Sequence, residues 1–160
     1  MGTNMAFLEW LEYSAFSDWV ATSEWGYPMM ITAHSVGMAI IIGLLFVLNL
    51  RLLGAFQQIP IASLRSLLKL AWTGFVINLG SGISLFISQA TFFATHVAFL
   101  VKIAAIFLAL INAAFIQQIL RQQAGNSDGG GVTIKMKILA VSSLTLWLTA
   151  IIAGRLVAYI

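Results

Sequence analysis

Four stretches of this sequence are each long and apolar enough to cross a lipid bilayer, which removes most soluble folds from consideration. A helix needs about 20 apolar residues to traverse about 30 Å of hydrocarbon. The windows 29–53, 67–89, 97–119 and 137–159 have that length. No water reaches the hydrocarbon, so the backbone must satisfy its own hydrogen bonds, and segments like these are helical. The expected fold is an all-α integral membrane four-helix bundle with an N-terminal interfacial amphipathic helix. Residues 1–27 form the surface segment in this reading and residues 28–160 the transmembrane domain.

Composition agrees with that assignment. Charged residues make up 8% of the chain and hydrophobic residues 61%, whereas soluble domains carry about 25% charge. The absence of cysteine excludes disulfides, thiolate metal sites, iron–sulfur clusters and covalent haem attachment. A formal charge of +3 is too small, and too concentrated at span ends, to indicate nucleic acid. No basic stretch precedes the first apolar run, so no cleaved signal peptide is expected.

The charges also set an orientation. Arg51, Arg65 and Lys69 bracket the first connection, and Arg121, Lys135 and Lys137 bracket the third, so one side holds six of the eight basic residues. The positive-inside rule makes that side cytoplasmic. The expected location is a bacterial inner membrane with both termini periplasmic. The third connection also contains the flexible run GNSDGGG (125–131). On the other side, Glu9, Glu12, Asp18 and Glu24 share the N-terminal segment with Trp10, Trp19, Trp25 and Tyr27, rings suited to the headgroup level. Leu8, Leu11 and Ala15 are expected on one helical face, with Glu9 and Glu12 turned away.

Polar residues within the spans are the functional candidates. At about 1.5 Å per residue, counted from each span's cytoplasmic basic residue, His34 lies about 25 Å up, Lys102 about 28 Å and Arg155 about 27 Å. Three helices therefore present an imidazole and two cations in one layer near the periplasmic face. His96 falls higher, at about 37 Å by the same rise.

Two ligand chemistries fit these residues. A haem b site would use His34 and His96 as axial ligands, with Lys102 and Arg155 holding the propionates and Trp25, Phe92, Phe93 and Phe99 around the ring. A soft-metal site would use Met30, His34 and Met38, spaced i, i+4, i+8 on one helix face, as thioether and imidazole ligands for copper. Gly80-Ser81-Gly82 offers room for a flat group beside the backbone. Asn49, Asn78 and Asn112 sit within apolar runs and read as interhelical hydrogen-bonding residues. The spans carry no Asp or Glu, so neither carboxylate relays nor a Ser/His/Asp set can be drawn. That favours an electron carrier or a subunit over an autonomous enzyme.

Tyr27-Pro28, His34, NLRLLG (49–54), WTGF (72–75), Lys102 and AGRLVAY (153–159) together resemble a family of small bacterial four-helix inner-membrane proteins. That family is distantly similar to copper-resistance D-type proteins and small four-helix cytochromes b. His34, Lys102 and Arg155 match the pattern; His96 is not part of it. The reading that follows is a haem-b electron-transfer protein exchanging electrons between quinone and a periplasmic or membrane redox partner. Its alternatives are a copper-binding or copper-transport protein and a non-catalytic subunit of a larger complex. Homo-oligomerisation is compatible with each.

Overall fold

A computed structural model describes residues 2–123 and 132–159; the glycine-rich run 125–131 lies outside them. The described residues form helices α1 (Gly2–Glu12), α2 (Ala15–Thr22), α3 (Gly26–Leu53), α4 (Ile61–Ile87), α5 (Ala90–Thr95), α6 (Val97–Gln123) and α7 (Ile134–Leu156). Helices α3, α4, α6 and α7 contain the four stretches long and apolar enough to cross a membrane. The all-helical membrane bundle expected from the sequence is the fold observed.

Several boundaries differ from the apolar windows for local reasons. Helix α4 starts directly after Pro60, its N-cap residue, so Arg65 belongs to the helix instead of preceding it. Helix α7 starts after Thr133, whose hydroxyl accepts the Met136 N–H, which brings Lys135 and Lys137 into its first turns. Helix α3 ends at Gly54, whose φ of 106° is open to glycine at little cost. The Ala55 N–H then bonds the Leu50 carbonyl at 2.9 Å, and Arg51 Nε donates to the Ile59 carbonyl at 2.8 Å.

The N-terminal segment is two helices, because Ser14 caps α2 by accepting the Ser17 N–H at 3.2 Å. Ala15 is exposed and starts that second helix, so it does not continue the Leu8–Leu11 face. Glu12 does not turn away either. Its carboxylate accepts the Thr91 hydroxyl at 2.6 Å and the Thr91 N–H at 3.0 Å, fastening α1 to α5. These bonds hold the Glu12 carboxyl below its ordinary range. Ser17, buried, donates to the Ile87 carbonyl at 3.3 Å, fixing α2 to the end of α4. Together α1, α2 and α5 cap one end of the bundle (the cap end). Arg51, Lys69, Arg121 and Lys137 mark the other, the basic end.

Helix α3 packs along α4 and also against α7, and α7 packs along α6, whereas α4 and α6 touch only sparsely. Among the described residues α3 and α6 make no close approach, nor do α4 and α7, so these pairs stand on the diagonals. One asparagine bridges each close seam. Asn78 Nδ2 donates from α4 to the His34 carbonyl on α3 at 2.8 Å. Asn49 Nδ2 donates from α3 to Ser143 Oγ on α7 at 3.0 Å. Asn112 Nδ2 donates from α6 to Ser142 Oγ on α7.

The apolar core fills the basic half of the bundle. Ile41, Leu45, Leu48 and Leu52 of α3 meet Leu64 and Leu68 of α4, Ala109, Ile116 and Leu120 of α6, and Met136, Ala140 and Trp147 of α7. Tight approach of α3 and α4 depends on two glycines. A Cβ at Gly37 would lie 2.7 Å from the Asn78 nitrogen, and one at Gly74 would lie 2.7 Å from Ile40 Cγ2. Such residues let helices associate closely in lipid, where water supplies no driving force between them.

Candidate functional site

The cap half is not filled. A cavity of about 600 Å³ lies there, bounded by α3, α4, α5, α6 and α7. That volume is within the range of about 300–1,000 Å³ typical of small-molecule sites. His34, Lys102 and Arg155 all line it, and Met38 does too. Met30 and His96 are not among its lining residues, so the structure does not bring His96 to the cavity with His34. Met30 and Met38 share a helix face but not this cavity. His96 sits between α5 and α6, its ring 5.1 Å from that of Phe92 and its Nδ1 buried without a partner.

His34 is held on one edge. Its Nδ1 lies 3.1 Å from the Asn78 carbonyl and 3.3 Å from Ser81 Oγ. The Ser81 hydroxyl already donates to the Ile77 carbonyl at 2.7 Å. An imidazole beside a carbonyl acceptor carries its proton on Nδ1, which leaves Nε2 with a free lone pair. Among the described residues only Nδ1 of the ring has a hydrogen-bond partner, and His34 lines the cavity. The Asn78 side chain returns a bond to the His34 carbonyl, so ring and backbone are clamped together. Gly82 completes the seat: a Cβ there would lie 3.1 Å from His34 Cε1. The flat group accommodated by this glycine is the histidine ring itself. Gly80, by contrast, faces open space.

Lys102 enters from α6. Its stem lies against Gly154 of α7, where a Cβ would sit 3.2 Å from Lys102 Cδ, and its Nζ is 5.9 Å from the centre of the Phe99 ring. Half-buried, it has no acidic partner among the described residues. Arg155 is exposed at the cavity edge, its guanidinium 5.6 Å from the Tyr159 ring centre. Glu9, Asp18 and Glu24 are exposed and make no ion pair with either cation.

An aromatic wall closes the cap end of the α4–α6 seam. Phe86 stacks on Phe99 at 5.6 Å, and Phe93 lies 5.1 Å from Phe99. Trp25 stays exposed and outside the lining. Sequence alone does not join Phe86, Asn78, Ser81, Gly82 and Gly154 into one site. The signal was present for three of them, since Asn78, Ser81 and Gly82 are spaced i, i+3, i+4 on one face of α4.

The arrangement combines a fixed imidazole lone pair, an unpaired ammonium, a guanidinium at the mouth and aromatic walls. It suits a flat, largely apolar ligand that bears acidic groups at one end and offers a Lewis-acidic atom to His34. Compared with protein-family models, curated proteins and solved structures, the chain has no match.

Proposed function

We propose that this chain is a membrane electron-transfer protein, or an electron-transfer subunit, that holds haem b in the cap-end cavity through His34. The observation carrying this reading is the His34 clamp. Metal-ligating histidines characteristically donate their second ring N–H to a carbonyl or carboxylate, and here Nδ1 is taken while Nε2 has no hydrogen-bond partner among the described residues. Haem also carries two carboxylates, and the same cavity has Lys102 and Arg155 in its lining. The residues fit a haem held by one imidazole. They do not supply a bis-imidazole pair, because His96 is outside the lining.

When bound, haem b supplies a one-electron couple. The chain does the rest: the Asn78 carbonyl and Ser81 orient His34, Lys102 and Arg155 bind acid groups, and Phe86, Phe93 and Phe99 exclude water. The protein lies in a bacterial inner membrane with its cap end periplasmic. It exchanges electrons between the membrane quinone pool and a partner on that side. Copper is the weaker reading, since His34 and Met38 line the cavity without Met30 and two cations would oppose a third.

The test is the absorption spectrum of protein purified in mild detergent from haem-replete cells. The expected result is a Soret band that moves on reduction and is lost in His34→Ala. A colourless, folded wild-type preparation overturns the proposal, and metal analysis of that preparation tests copper.

A further inference from the structure

Resting on the haem reading above, we infer that this chain would hold the group through one ligating side chain, His34, and leaves the opposite side of the cavity without one, open to a small neutral lone-pair donor of the carbon monoxide class.

The argument is one of position. Tyr27 and Met38 also line the cavity, but both belong to α3, the helix that carries His34. Helix α6 stands diagonally across from α3, and Lys102 is its one ligand-type side chain in the lining. As an ammonium, Lys102 offers no lone pair. The remaining surface on α6 and α7 includes Ile106, Ala150 and Ile151, none of which can coordinate a metal. Access favours the same class of molecule. The α4–α6 seam is sparse, and small neutral diatomics dissolve more readily in hydrocarbon than in water. Below the aromatic wall that seam is lined by apolar groups such as Ala71, Phe75, Leu110 and Ala113.

The experiment is a carbon monoxide titration of the haem-loaded, dithionite-reduced protein, followed by absorption. The expected result is a high-spin reduced spectrum and a saturable Soret shift, retained in Met38→Leu and His96→Ala. A haem-loaded protein whose reduced spectrum is low-spin and unmoved by carbon monoxide overturns the inference. If either variant then gains the shift, the lost side chain is the second ligand and the single-ligand assignment is wrong. A preparation with no haem band fails differently, because it overturns the parent reading and this inference with it.

Discussion

His34 has its position because Gly82 has no side chain. Replacing Gly82 with leucine would drive a Cβ against the imidazole and push Nδ1 off the Asn78 carbonyl. Gly82→Leu is expected to abolish the haem band while helix content, followed by circular dichroism, stays unchanged. Gly80→Leu, two residues earlier and facing open space, is expected to retain the band. Asn49 poses a different residue-scale question. It is fully buried, bonds Ser143 through Nδ2 and leaves its Oδ1 unpaired. Removing one partner from a buried hydrogen bond costs more than replacing both with apolar groups of similar shape. Asn49→Ala should therefore destabilise the bundle by about 1 kcal/mol, near the scale of interhelical bonds in lipid. The double variant Asn49→Leu/Ser143→Ala should lose less, as checked by equilibrium unfolding in detergent. At this scale the sequence was informative about which residues were polar and at what depth, but not about their rotation. The depth count put His34, Lys102 and Arg155 in one layer; no count of rise shows that His96 turns to Phe92.

Among the elements, the α3–α4 pair is the most demanding. Gly37→Val places side-chain atoms against the α4 backbone, where no flexible group can yield. Overpacking of this kind typically costs about 1–3 kcal/mol, whereas Gly43→Val meets nothing within 4 Å and should be neutral in the same unfolding measurement. Helix α1 is held more lightly. Thr91 keeps the Glu12 carboxyl low, so its stabilisation is complete above the unfolded pKa of about 4.3. It is lost as pH falls through the folded value. Amide exchange in α1 is expected to accelerate only below the ordinary carboxylate range, and Glu12→Gln should remove that acid-dependent step. The long helices were legible because hydrophobic length alone specifies them. The position of the break at Ser14 and the short helix α5 were not, because a cap and a tertiary contact, not periodicity, create them.

For the whole molecule, the arc α4–α3–α7–α6 explains why the cavity and the core occupy opposite halves. Interlocking leucines fill the basic half, and rings with small residues border the void in the other. The proposed orientation is checked by cysteine labelling in intact cells, since the chain has no native cysteine. A reporter at Ser23 should react with a membrane-impermeant maleimide, and one at Gly54 should react only after permeabilisation. The seam pattern has a mechanical corollary. Because Asn78 ties one helix pair and Asn112 the other, while Asn49 pins the pairs along α3 and α7, the bundle resembles a book bound at its spine. A small opening of its covers is expected to leave those three bonds intact while changing the capacity of the void.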